Sequence, residues 1–251
     1  MDRPPRPAHP TGRRLPAPVR APLMRHRWES VAFLHWPYPV AAVQPHLPPG
    51  LAVEPRDGRA WVGMVLFRMH VELPWGRGRH VVPAFPETNL RTYVLGPDGS
   101  PGIWFWSLDA TSPSAVAAAR AAYGLPYCLA RMTIEAAPGT VAYRSVRRWP
   151  APRAGHDVAV RLGRQIPDRE VGDFDDWLTA RYTLWNRDGP FLLRTPVAHR
   201  PWSLRAAEAL RVEQDLTAAA GLPAPAGPPL VHWSPGVDVR IGPPRPRRLP
   251  S

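Results

Sequence analysis

The chain contains no lysine: all 32 of its strongly basic residues are arginines. A mechanism that builds a Schiff base on a lysine side chain is therefore excluded. Cysteine occurs once, at Cys128, so neither an internal disulfide nor a cysteine-rich zinc site can form. No apolar run approaches the ~20 residues that a membrane-spanning helix needs. Arg13 and Arg14 are followed by Pro16, Pro18, Arg20 and Pro22, where a signal peptide would carry its apolar stretch. A cytoplasmic location is the expectation. Met24, just ahead of the first patterned segment, is a candidate start of translation.

What the chain has in plenty is proline (36), tryptophan (11) and positive charge, with a net +12. The charge lies mostly at the ends. Residues 1–25 carry +5 and residues 243–251 carry +3, which leaves an ordinary +4 over everything between. Both ends are rich in proline and arginine and poor in apolar residues, so they are expected to be disordered tails. No nucleic-acid motif accompanies them, and a specific nucleic-acid partner is not expected. One domain is expected, from about residue 26 to residue 242.

Abundant proline and glycine favour strands and turns over long helices. VAFLHWPY (31–38) reads as a first strand, followed by a short helix over 39–47. AWVGMVLFRMHVEL (60–73) is a long strand that is apolar on both faces at its start, as in the middle of a sheet or barrel. A loop is expected at 74–84, then a strand–turn–strand unit from ETNLRTYV (87–94) through GPDGSPG to IWFWSLDA (103–110). Ser112 as N-cap, Pro113 at the first position and Gly124 at the end delimit a helix. Hairpins follow at 127–149, around Pro138-Gly139, and at 183–199, around Asp188-Gly189. Between them come a strand at 158–163 and a short helix at 174–182 with Asp173 as its cap. Ser203 is placed to cap a last helix over about 204–220, and VDVRI (237–241) is a final strand. Many short strands with a few interspersed helices give an α+β protein on a curved, mainly antiparallel sheet or barrel.

In ETNLRTYV, successive side chains of an extended strand point to opposite faces, so Glu87, Asn89, Arg91 and Tyr93 share one side. Glu87 can move a proton, Arg91 can hold a carboxylate through its planar fork, and Asn89 or Tyr93 can bond a carbonyl. Spacing alone slightly favours a water-facing strand with an internal Glu–Arg pair over the wall of a pocket. His35, His199 and His232 have no spacing typical of metal ligands, and local hydrogen bonding beside Trp36, Trp202 and Trp233 is expected of them. Asp109 precedes a helix and is read as a capping or loop-fixing residue. Arg120 faces either the pocket or the surface.

HLPPGL, ETNLRTYV, FWSLDA, YGLPY, LTARY, AHRPW and HWSPGVDV occur in this order over residues 28–241. Together they resemble the YqjF-like family of uncharacterised bacterial proteins, within the acetoacetate decarboxylase-like superfamily. That resemblance implies a curved, mainly antiparallel β-barrel or cone around a pocket, with the stripe of β-strand residues 87–93 on its wall. It places Tyr127 and Cys128 where the decarboxylases carry two lysines, one of which forms their Schiff base, and it matches Glu87 to a glutamate of those enzymes. Decarboxylation through an imine is thus not inherited. If Tyr127 points inward, alternation turns Cys128 into packing as an ordinary small apolar residue. The resulting expectation is a cofactor-free and metal-free pocket for a small carboxylate- or carbonyl-bearing molecule. Asn89, Arg91 and Tyr93 would bind it, and in an enzyme Glu87 and Tyr127 would act on it. An interaction module, or a homo-oligomer, is compatible with the same residues.

Overall fold

The computed structural model of the chain describes residues 18–72, 83–150 and 152–248. Most of the expected N-terminal tail, most of the 74–84 loop and residues 249–251 lie outside them. In chain order the elements are β1 (Met24–Tyr38), α1 (Val40–Val43), β2 (Ala52–Val53), β3 (Ala60–Glu72), β4 (Phe85–Leu95) and β5 (Pro101–Ala110). Next come α2 (Pro113–Tyr123), β6 (Tyr127–Ala137), β7 (Thr140–Trp149), β8 (Gly155–Gln165) and α3 (Asp173–Thr179). The chain ends with β9 (Thr183–Asp188), β10 (Phe191–His199), β11 (Arg205–Gln214), α4 (Leu216–Ala219), β12 (Leu230–Ile241) and β13 (Arg245–Arg248).

The thirteen strands form one curved sheet, antiparallel except where β5 meets β6 and β9. Two extra pairings, β4 with β5 and β10 with β12, join its ends back onto its interior. Strand pairing then closes in two rings. The smaller runs β10–β9–β5–β4–β3–β1–β12 and the larger runs β5–β6–β7–β8–β11–β12–β1–β3–β4. The arc β12–β1–β3–β4–β5 belongs to both.

This shared arc explains why β3 is apolar on both faces. Val62, Met64 and Leu66, with Leu34 and Trp36 of β1 and Leu90 of β4, pack with Tyr143, Val158 and Val160 of the larger ring. Val65, Phe67 and Met69 face the other way and pack with Phe33, Leu108 and Trp202. A strand between two packed interiors has no water side, and β4 is buried from Glu87 to Val94. The water-facing reading of the polar stripe is thereby removed.

Three local expectations differ from what forms. Residues 204–220 do not make one helix: Arg205–Gln214 is β11, and only Leu216–Ala219 is helical. The segment is rich in good helix formers, but β11 fills the gap between β8 and β12, where both would otherwise leave backbone groups unpaired. The cap of α3 is Gly172, and Asp173 is its first helical residue. At the C-terminus, Arg245–Arg248 is a strand paired with β10, although composition reads this stretch as tail. The other helices and hairpins form where expected. Ser112 Oγ accepts from Ala115 N at 3.3 Å, and Gly124 closes α2 in the left-handed conformation (φ +60°).

Candidate functional site

The interior of the smaller ring is not filled. A cavity of about 100 Å³ lies there, bordered by residues from all seven of its strands and by Tyr127, Arg181 and Trp202. Its wall is mostly apolar, with Trp28, Phe67, Phe105, Leu184 and Trp202 prominent. A bulge in β1 between Glu29 and Ala32, with Ser30 at φ +50°, switches the faces of that strand. His26 and Trp28 turn to the cavity as a result, while Phe33 beyond the bulge keeps the same inward direction.

Glu87, Asn89 and Arg91 border the cavity from β4, and Tyr127 borders it from the start of β6. Glu87 is 2% exposed, and the Tyr127 hydroxyl donates to its Oε2 at 3.0 Å. Burial pushes the Glu87 carboxyl up to about 8, against the lowering effect of the Tyr127 bond and with a small further push from Asp109. At neutral pH this carboxyl holds a proton. Burial and the facing carboxyl likewise push the Tyr127 phenol well above its ordinary value.

Arg91 is a buried guanidinium whose Nη2 donates to Leu178 O at 3.1 Å. Its Nε has no partner, and no carboxylate pairs with it among the described residues. Asn89 Oδ1 is buried and unpartnered beside it. Tyr93 shares their strand face but sits behind the cavity wall. Its hydroxyl donates to Leu178 O at 2.5 Å and contacts His35 Nε2 at 2.7 Å. Since the hydroxyl proton is committed to Leu178, His35 donates from Nε2 to the Tyr93 oxygen. The imidazole is neutral, because burial first and then the nearby Arg91 hold its pKa well below the usual value. Gly63 makes room for this arrangement: a Cβ there would lie 3.0 Å from His35 Cδ2 and 3.5 Å from Arg91 Cγ.

The C-terminal turn of α3 is where these side chains meet. The Trp177, Leu178 and Thr179 carbonyls accept from Arg181 Nε (2.8 Å), from Arg91 with Tyr93, and from Trp202 Nε1 (2.9 Å). Carbonyls at a helix end lack partners within the helix, so cationic and donor side chains settle there. Arg181 also bonds Glu54 Oε2 at 2.7 Å and lies over the rings of Trp177 (4.4 Å) and Tyr93 (4.7 Å). Trp177 Nε1 donates to the other Glu54 oxygen at 2.9 Å, which fixes the carboxylate. Arg181 Nη2 is left buried and unpartnered.

Cys128 is turned into packing. Its thiol donates to Pro126 O at 3.7 Å, and burial raises it to about 11, so no thiolate is available as a nucleophile. Asp109 does not cap α2 but forms a buried pair with Arg147, whose Nη2 (2.8 Å) and Nε (3.1 Å) both donate to its Oδ1, with Nε also 3.3 Å from Oδ2. Arg120 donates to Tyr127 O at 2.7 Å and covers the exposed Trp149 ring, away from the cavity. Of the three histidines, only His199 borders the cavity. It bonds Arg200 O at 2.7 Å and packs 5.0 Å from Trp202. His232 pairs with Asp175 at 3.1 Å. No cluster among the described residues has the makings of a metal site. Sequence reading missed His26, Trp28 and Arg181. The last lies within the LTARY segment, which marks it only by family likeness.

Residues 25–238 match the DUF2071 family, described as an uncharacterised conserved protein, and the chain belongs to that family. It is 37% identical over 226 residues to the uncharacterised protein YqjF of Bacillus subtilis (strain 168), covering 88% of this chain and 91% of that one. Among solved structures it is similar to the enduracididine biosynthesis enzyme MppR, complexed with the condensation product of pyruvate and imidazole 4-carboxaldehyde. That likeness has TM-score 0.64 and 15% identity, over 94% of this chain and 93% of that one. An acetoacetate decarboxylase-like enzyme from Sphingomonas wittichii RW1 matches with TM-score 0.62 and 15% identity, over 94% and 97%. The fold is acetoacetate decarboxylase-like.

Proposed function

We propose that this DUF2071 protein uses the cavity of its smaller ring to hold a small organic acid or carbonyl compound, with Arg91 as the anchor. The observation that carries the reading is the buried guanidinium of Arg91, which faces the cavity with a free Nε and no carboxylate partner among the described residues. A buried charge without a counter-ion is costly, and a bound anion supplies the missing partner. Unpartnered Asn89 Oδ1 adds an acceptor for a hydroxyl or amide hydrogen. The ligand seen in MppR, a condensation product of pyruvate, is of the same broad class. In keeping with the lack of lysine, no imine forms on the protein. We place the protein in the cytoplasm, working without a cofactor.

The Glu87–Tyr127 pair favours a second reading, acid–base catalysis on the bound molecule. A carboxyl that holds its proton to about pH 8 is suited to protonate a carbonyl oxygen or an enolate carbon. Tyr127 would then stabilise the oxyanion. Residues in these roles need a ligand within reach of both.

A thermal-shift screen of keto acids, hydroxy acids, lactones and aromatic carboxylates tests both readings, run on wild type, Arg91→Met and Glu87→Gln. A ligand at a hundred times its Kd stabilises the native state by about 2.7 kcal/mol. The expected result is a shift in wild type that is lost in Arg91→Met, with both proteins folded by circular dichroism. A folded wild type indifferent to every compound would overturn the anchor. For a binder, Glu87→Gln keeps the shift. For an enzyme it keeps the shift and loses turnover.

A further inference from the structure

The cavity meets a second guanidinium, and the two are not equivalent. Arg181 is 9% exposed and borders the cavity, as Arg91 does, and its Nη2 is buried without a partner. Its charge, unlike that of Arg91, is already matched by Glu54, which is 1% exposed and held in place by Trp177. Among the described residues, the other ionisable groups that border the cavity or back Arg91 directly are uncharged at neutral pH. Tyr93 and Tyr127 are phenols, His35 and His199 are held neutral by burial, and Glu87 keeps its proton. The buried Asp109–Arg147 pair balances itself. The site therefore carries two forks of N–H donors but one net positive charge.

Resting on the reading of the cavity as an acid-binding site, we propose that Arg181 and Glu54 form a charge-counted second arm. Arg91 neutralises the ligand, Arg181 adds a donor without adding charge, and the site selects singly charged acids over doubly charged ones. A second carboxylate would sit in the same cavity with no further cation among the described residues to meet it. Desolvating an unmatched charge disfavours that ligand.

Isothermal titration of the full chain with 2-hydroxybutanoate and with malate tests this, since the two differ by a methyl group against a carboxylate. Wild type is expected to prefer 2-hydroxybutanoate by about tenfold or more, a difference that a single unmatched charge readily produces. Glu54→Gln leaves two uncompensated guanidiniums, and the preference should fall to near unity or reverse toward malate. The double variant Glu54→Gln with Arg181→Met restores a net charge of +1 but removes the second fork. It should bind 2-hydroxybutanoate more weakly than wild type and still prefer it. Equal binding of both acids by wild type, or an unchanged ratio in Glu54→Gln, overturns the charge count. Should Glu54→Gln fail to fold, the double variant decides: unchanged affinity removes Arg181 from the site. If neither acid binds wild type, the arm falls. The Arg91 anchor falls with it only if the wider panel fails as well.

Discussion

Glu87 and Tyr127 show how one contact works in two directions. The Tyr127 hydroxyl donates to the carboxyl and so favours its ionised form, yet burial dominates and the proton stays on to about pH 8. Removing the phenol oxygen takes away the stabilising donor and leaves the burial. Tyr127→Phe is therefore expected to move the Glu87 midpoint upward, read by NMR of a protein labelled at glutamate side-chain carbonyls. A downward movement would mean that the tyrosine opposes ionisation, contrary to its geometry. Part of this site was legible from sequence, because alternation along one strand is local: Glu87, Asn89 and Arg91 do share a wall. Tyr93 is on that face as well, but two further residues along the strand carry it past the cavity to the end of α3. Arg181, His26 and Trp28 come from distant segments, and nothing in their immediate neighbours announces that they meet.

At the scale of elements, local signals were reliable where they stood at the ends of a segment. Ser112, Pro113 and Gly124 delimit α2, and the structure uses each in its expected role. Gly124 adopts φ +60°, and an added Cβ would approach Arg187 O at 3.3 Å. Gly124→Ala is expected to cost about 1–2 kcal/mol, the penalty of a left-handed non-glycine residue. Ser112→Ala, which removes a long 3.3 Å cap bond, belongs at the lower end of the capping range, about 0.5–1 kcal/mol. Urea unfolding of the two variants should rank them in that order, and the reverse order would show that the cap, not the turn, secures the helix. Where an element is decided by its neighbours, local signals mislead. RAAEALRVEQ has the composition of a helix, but its backbone is claimed by β8 along most of its length and by β12 at its start. Pairing partners 40 to 58 residues earlier in β8 and 26 to 28 residues later in β12 leave no trace in the segment itself.

The whole molecule adds these buried groups into a pH dependence that no one of them dictates. Burial lowers His26, His156 and His199 to about 4 and holds His35 well below its usual value, and the unfolded chain takes up their protons from 6.5 downward. Below pH 6.5 the unfolded state thus binds protons that the native state refuses, and stability is lost as pH falls toward 4. Glu87 works in the opposite sense. The native carboxyl keeps a proton to about 8 that the unfolded chain releases near 4.5, so this contribution is full below 4.5 and is lost as pH rises to 8. Between 4.5 and 6.5 four histidines outweigh one glutamate, and stability rises with pH. Above about 7, once the unfolded-state histidines are mostly neutral, the glutamate is left to pull it down, by at most about 1.4 kcal/mol per pH unit for one proton. Urea unfolding at intervals from pH 5 to 9 should accordingly find a maximum near 7, where the two slopes cancel, about half a unit above the histidine midpoint. In Glu87→Gln the alkaline side of that maximum should flatten, because the only one of these five groups that loses a native proton there is gone. A wild-type stability that climbs steadily to pH 8 would mean that Glu87 is ionised in the folded protein. The cavity would then carry no net charge to offer an acid, and both the anchor and the charge count would lose their electrostatic ground.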